Sequence, residues 1–169
     1  YAVSVTTGRL LWKHEVRVCE NNPAKMNYIF PLNRGVAYAA GRVFVGATDG
    51  RLIALDAKTG RQLWSKLTVK RDDRRTITGA PRAFKNLVII GQGGGDAGER
   101  GYVTAYDQST GSQVWRFYTV PGSPEENAGD PAMEAAAKTW GTSEYWKSGT
   151  GGTAWHGMTF DPEMNRIYV

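Results

Sequence analysis

Apolar residues in this chain come in short runs, each closed by Gly, Asp, Asn or Thr. Residues 36–39 lead through a Gly41 turn into 42–46. The hairpin dipeptide Asp49-Gly50 leads into 51–55, and Thr59-Gly60 turns the chain into 62–64. That order predicts four short antiparallel strands in a meander. It recurs as 80–84, 87–91, 102–106 and 113–118, and starts again at about 153–160 and 166–169. The last strand of each unit carries one phrase: Thr7-Gly8 before Trp12, Thr59-Gly60 before Trp64, Thr110-Gly111 before Trp115. The tryptophans stand 52 and then 51 residues apart. Short strands repeating at such a period predict an all-β chain, a β-propeller with one repeat per blade. The three indoles are read as scaffold, packed between neighbouring blades.

This length holds about three four-stranded blades, fewer than the roughly 4–8 that close a ring. The expected divisions are a blade edge at 1–20, blades at 33–68 and 77–120, an insert at 121–150 and the start of a further blade at 151–169. The chain opens inside a repeat without Met and stops in a strand, so it is expected to be an internal piece of a longer protein.

Two segments break the repeat. Residues 119–152 form a long excursion, with a short helical insert over 131–138: Asp130 is its N-cap, Pro131 its first position and Gly141 its end. An excursion of that length is either functional, an oligomer contact, or a packed surface insert. The second break is 91–101, rich in Gly, where the preceding blade has only 47–50. Consecutive glycines bare their N–H groups to a ligand, or simply make a flexible tip. No Gly-Lys-Ser/Thr follows, so it is not a phosphate loop.

The net charge of +5 is dispersed, and the densest basic run, 70–75, carries Asp72 and Asp73 within it. That reads as a solvated loop and not as a nucleic-acid surface. No apolar stretch is long enough to span a membrane. Cys19 is the single cysteine, so no internal disulfide forms and the thiol is read as inert.

In a propeller the first strand of each blade lines the central channel, so 33–35, 76–81 and 151–155 should converge. Arg34 offers a planar fork for carboxylates or quinone oxygens. Trp155 offers a flat face for an aromatic ligand, and Thr78 and Thr153 offer hydroxyls for its rim. Asp96, beside Gly93, Gly94 and Gly95, is a hard oxygen donor suited to Ca²⁺. Together they point to a flat, anionic, metal-assisted cofactor.

At these residues the chain resembles the pyrroloquinoline quinone (PQQ)-dependent alcohol dehydrogenases, the quinoprotein methanol/ethanol dehydrogenase family with an eight-bladed propeller. The resemblance covers 1–169 and rests on 33–37, 49–60, 77–81, 100–107, 114–122 and 151–155 in that order. It implies that Arg34, Thr78 and Thr153 hydrogen-bond PQQ, that Trp155 stacks on its plane, and that Gly93, Gly94 and Gly95 line its edge. Asp96 falls where the family has a Glu that ligates Ca²⁺ or a lanthanide. No catalytic residue is assigned in this segment, since the family's Asp base and other metal ligands are expected beyond Val169. The implied chemistry is alcohol oxidation: a base takes the hydroxyl proton, hydride passes to the quinone, and the cation polarises its C5 carbonyl. Electrons then pass to a cytochrome c-type acceptor or a fused haem c domain. The implied location is periplasmic.

Two positions depart from the family pattern. Many members carry adjacent cysteines where this chain has Tyr28 and Ile29, so that disulfide ring is absent and Tyr28 is a candidate cover for the cofactor. Asp at 96 is one methylene shorter than Glu, which calls for backbone reach, a bridging water, or transfer of the role to Glu99. The rival readings are a non-catalytic β-propeller scaffold or sensor domain with the same Trp repeats, and a degenerate, inactive dehydrogenase.

Overall fold

The computed structural model describes residues 1–22, 32–141, 144–149 and 151–169, with backbone alone for Cys19 and Asn21. The expectations for Tyr28, Ile29 and the Cys19 thiol therefore lie outside the described residues. Two four-stranded antiparallel meanders form the body. One contains β3 (Val36–Ala39), β4 (Arg42–Gly46), β5 (Arg51–Asp56) and β6 (Gln62–Leu67). The next contains β7 (Arg82–Phe84), β8 (Leu87–Gly91), β9 (Tyr102–Asp107) and β10 (Gln113–Tyr118). A two-stranded ribbon flanks them in sequence on each side: β1 (Ala2–Val3) with β2 (Leu10–Trp12), and β11 (Thr159–Asp161) with β12 (Arg166–Tyr168). Successive sheets are the blades of a β-propeller.

One device built from the repeated phrase joins the first ribbon to the first meander and the first meander to the second. Asp56 Oδ1 accepts hydrogen bonds from the Lys58 and Thr59 amides and the Thr59 hydroxyl. Asp107 does the same with Ser109 and Thr110. Each turn ends on a glycine at positive φ, Gly60 at 73° and Gly111 at 69°. The bare glycine receives the indole of the preceding blade. A methyl group at Gly60 would lie 2.5 Å from Trp12, and one at Gly111 would lie 2.8 Å from Trp64. The same turn accepts the indole N–H: Trp12 Nε1 donates to the Ala57 carbonyl at 3.0 Å and Trp64 Nε1 to the Gln108 carbonyl at 3.1 Å. A one-residue register shift precedes each Trp, so Ala2, Ala54 and Ala105 face Trp12, Trp64 and Trp115. Such a bulge re-aims the side chain that follows it.

The cores lie between blades. Phe44, Leu52 and Ala54 of one sheet pack against Val88, Ile90 and Tyr106 of the next and Ile77 of the segment entering it, closed at the side by Trp64. Trp12 packs with Ile53, Leu55 and Ala47, and Trp115 with Ile89, Val103, Ala105 and Met158.

The structure departs from the sequence reading in several places. The strand expected at 80–84 starts at Arg82, because Pro81 has no N–H to give the ladder. The strand expected at 153–160 is confined to Thr159–Asp161, since 151–155 is committed to the preceding blade. Among the described residues the 119–152 excursion holds two α-helices. Besides α3 (Pro131–Ala137), capped by Asp130 Oδ1 on the Ala132 and Met133 amides, there is α2 (Pro124–Asn127). The latter has a full Ser123/Glu126 capping box, a sequence signal that was missed. α3 ends at Ala137, with single turns reaching Trp140, before Gly141. The short α1 (Val18–Asn21) was also not foreseen.

Trp64→Ala should remove one inter-blade lock and cost about 3 kcal/mol or more in a denaturant melt. Gly111→Val should act in the same direction through backbone strain and collision with the indole. An unchanged midpoint in both would refute the lock.

The Asp107 carboxyl is held down at about 2, chiefly by the Ser109 hydroxyl and then by the Thr110 amide. A depressed value in the folded state gives stability that is full above the unfolded value near 3.8 and is lost as pH falls through about 2. Asp107→Asn should therefore lower stability at neutral pH and flatten its decline between those two values, read by melts across the acid range.

Candidate functional site

The three converging segments meet. The Arg34 amide donates to the Thr78 carbonyl at 2.9 Å, and its guanidinium Nη1 bonds the Thr78 hydroxyl. The same guanidinium lies over the Trp155 ring, 4.6 Å from its centroid. Arg34 is exposed and Trp155 half-buried, so a cation and an aromatic face are presented together at a solvent-accessible place. Asn33 sets the turn that delivers Arg34. Its Oδ1 accepts from the Gly35 amide and its Nδ2 donates to the Gly46 carbonyl.

Trp155 is positioned by glycines in the neighbouring blade. A methyl group at Gly91 would sit 1.9 Å from the Ala154 carbonyl oxygen. At Gly79 it would sit 2.7 Å from the Trp155 carbonyl, and at Gly101 2.2 Å from the Gly152 carbonyl. Segment 151–155 thus runs across blade backbone that has no side chains to hold it off. A parallel bridge between Arg100 and Gly151 anchors it, the Gly101 amide donating to the Gly151 carbonyl at 2.8 Å. These three glycines were not singled out from the sequence. The available signal was an isolated Gly within or beside a strand, which marks close backbone approach. Also missed was His156, whose ring centroid lies 3.7 Å from that of Trp155.

The glycine loop also meets that segment. Gly93 exchanges backbone hydrogen bonds with Thr76, and Gly94 takes φ 111° against Arg74 and Arg75. Gly95 sits beside Thr153 and Gly151, where a methyl group would lie 3.1 Å from the Thr153 hydroxyl. Gly95–Ala97 then form one 3-10 turn. Two groups therefore share the 151–155 segment: Arg34 and Thr78 gather at Trp155, and Gly95 of the glycine loop lies at Thr153.

Asp96 is exposed on that turn, and among the described residues nothing hydrogen-bonds its carboxylate. Glu99 is engaged elsewhere. Its Oε1 accepts from the Arg74 amide at 2.8 Å and its Oε2 pairs with Arg75 Nη1 at 2.8 Å. Among the described residues no three His, Cys, Asp or Glu side chains gather as a metal centre.

The profile of the PQQ family described as glucose/ethanol/alcohol dehydrogenase, β-propeller domain, matches residues 1–169. The quinohemoprotein alcohol dehydrogenase ADH IIB of Pseudomonas putida is 48% identical over 168 residues, covering 99% of this chain and 24% of its own length. The solved structure of quinohemoprotein alcohol dehydrogenase ADHIIG from Pseudomonas putida HK5 superposes with TM-score 0.90 at 48% identity, over 99% of this chain and 24% of that one. A europium-containing methanol dehydrogenase superposes at 0.80 with 36% identity, over 96% and 30% respectively. The chain spans about a quarter of the length of the curated relatives it matches.

Gly91→Ala should force 152–155 off the blade. The Gly101 amide should then exchange with solvent at least about tenfold faster, read by hydrogen exchange as local opening. Unchanged protection would show that the close approach does not hold the segment.

Proposed function

The chain belongs to the PQQ β-propeller family of glucose, ethanol and alcohol dehydrogenases, and from that membership we propose that it forms about a quarter of a quinoprotein alcohol dehydrogenase. The observation that carries the reading is the stacked Arg34–Trp155 pair, with Thr78 bonded to the guanidinium and the glycine loop beside Thr153. An acidic planar quinone fits that chemistry. Arg34 supplies a fixed charge for its carboxylates or quinone oxygens, and Thr78 and Thr153 supply hydroxyl donors. Trp155 supplies an apolar plane, and Gly93, Gly94 and Gly95 allow main-chain approach to its edge.

When bound, PQQ would supply the electron-accepting quinone and a metal ion the Lewis acid that polarises it. Asp96 would be one metal ligand. It is exposed and uncommitted, whereas Glu99 is held by Arg75, so the role stays with Asp96. The remaining ligands and the general base are assigned outside 1–169. The metal is Ca²⁺ or a lanthanide; the europium named for one structural neighbour keeps the second alternative in view. The substrate is a small alcohol. The acceptor is a cytochrome c-type protein or a haem c domain, consistent with the name quinohemoprotein carried by the relatives. No helix among the described residues is long and apolar enough to cross a membrane. The proposed location is the periplasm.

Reconstitution of the full-length protein with PQQ and Ca²⁺ should give alcohol-dependent dye reduction and a quinone absorbance. Neither appearing would overturn the enzyme reading in favour of a scaffold propeller. Trp155→Ala should lower PQQ retention on gel filtration, and undiminished retention would remove the stacking role. Asp96→Ala should raise the Ca²⁺ concentration needed for activity, whereas full activity at low Ca²⁺ would remove it as a ligand.

A further inference from the structure

Behind the glycine loop lies a cavity of about 230 Å³ unlike the cofactor site in its chemistry. Four cations line it: Lys70, Arg75, Arg100 and Arg116. Three of them are threaded by tyrosines. The Arg116 guanidinium lies 3.8 Å from the Tyr102 ring centroid, Arg75 lies 5.2 Å from the same ring, and Arg100 lies 3.8 Å from that of Tyr118. The rings hold the guanidiniums in place without neutralising them.

The carboxylates nearby do not balance this charge. Asp73 and Glu99 are committed to Arg75 at 2.7 and 2.8 Å. Glu126 reaches Arg100 Nη1 only at 3.5 Å, is 58% exposed, and already accepts the Ser123 amide. Arg116 has no carboxylate partner among the described residues and bonds the Thr104 hydroxyl and the Thr68 carbonyl, both at 2.9 Å. Lys70 has no carboxylate partner among the described residues, and the segments outside them, 23–31, 142–143 and 150, contain no Asp or Glu. Arg100 is 11% exposed, donates Nε to the Val120 carbonyl, and leaves Nη2 buried with no hydrogen-bond partner among the described residues. A buried guanidinium donor without an acceptor is costly, and an arriving anion would relieve that cost. Even the backbone accommodates the arrangement: a methyl group at Gly122 would lie 2.4 Å from Arg100 Nη1.

We propose that this cavity is a binding site for a small oxyanion, a phosphate or a short carboxylate, held by Arg100, Arg116 and Lys70. The volume suits such an ion with a few waters and is too small for a nucleotide or a peptide. Guanidinium forks take phosphate and carboxylate oxygens with directed, charge-assisted bonds. The Tyr102 phenol donates to the Thr68 carbonyl at 2.8 Å, and burial pushes it up to about 12, so no phenolate competes for the cations. The site does not depend on the dehydrogenase reading, because none of its residues is assigned to PQQ or metal.

The test is calorimetric titration of the full-length holoprotein, at constant ionic strength, with inorganic phosphate and separately with malonate. Saturable one-site binding of either is expected. Phosphate alone would identify the ligand as a phosphate, and malonate alone as a carboxylate. Arg116→Gln and Lys70→Gln should each weaken binding at least about tenfold, the loss of one charge-assisted contact. Lys70 is exposed and bonds through its amide to Asp73, so its side-chain replacement keeps the fold even if Arg116→Gln does not. Absence of saturable heat with both anions, or equal binding by wild type and Lys70→Gln and Arg116→Gln, would reduce the cations to a packing stack and overturn the proposal.

Discussion

The indole of one blade resting on the bare turn of the next is the interaction on which the rest of this structure depends. Each meander alone has two apolar faces and no means of burying both. The Trp12–Gly60 and Trp64–Gly111 contacts set the spacing and rotation between sheets. The indole N–H bonds to Ala57 and Gln108 then fix the register. With the spacing set, Phe44 and Leu52 meet Ile77 and Val88, and the inner ends of the blades come close enough for Arg34 to reach Thr78 and Trp155.

Each blade's inner edge is built for close approach. The locks work with side chains, whereas the candidate site works by omitting them. Gly79, Gly91 and Gly101 let segment 151–155 lie on backbone, and Gly93–Gly95 leave main chain beside Thr153. The cost is backbone entropy. The gain is a surface on which one aromatic plane and one cation are held by the fold itself, as a preorganised ligand site requires.

Much of this was legible beforehand because it is local. The strand runs, the Asp-Gly and Thr-Gly turns and the Asp130 cap obey rules that act within a few residues, and strands β3, β4, β8 and β10 occupy the residues expected of them. The convergence of Arg34, Thr78, Thr153 and Trp155 was legible through the repeat, since blade symmetry carries equivalent positions to one hub. The departures arose where nonlocal demands prevailed. Segment 151–155 forgoes its own ladder to lie on the glycines of another blade. Glu99, open as a metal ligand on sequence grounds, is taken by Arg75 from 24 residues upstream.

The repeat, the turns, the number of strands in each full blade and the set of side chains proposed to hold an anionic aromatic ligand were written residue by residue. Those follow from backbone sterics and from apolar spacing, which are encoded locally. The packing of blade on blade settled which carboxylates were already spent on arginines, which glycines were meeting places of two backbones, and that four cations would face one small cavity. Those are matters of distance between segments, and a distance in space enters the chemistry only after the blades have closed upon one another.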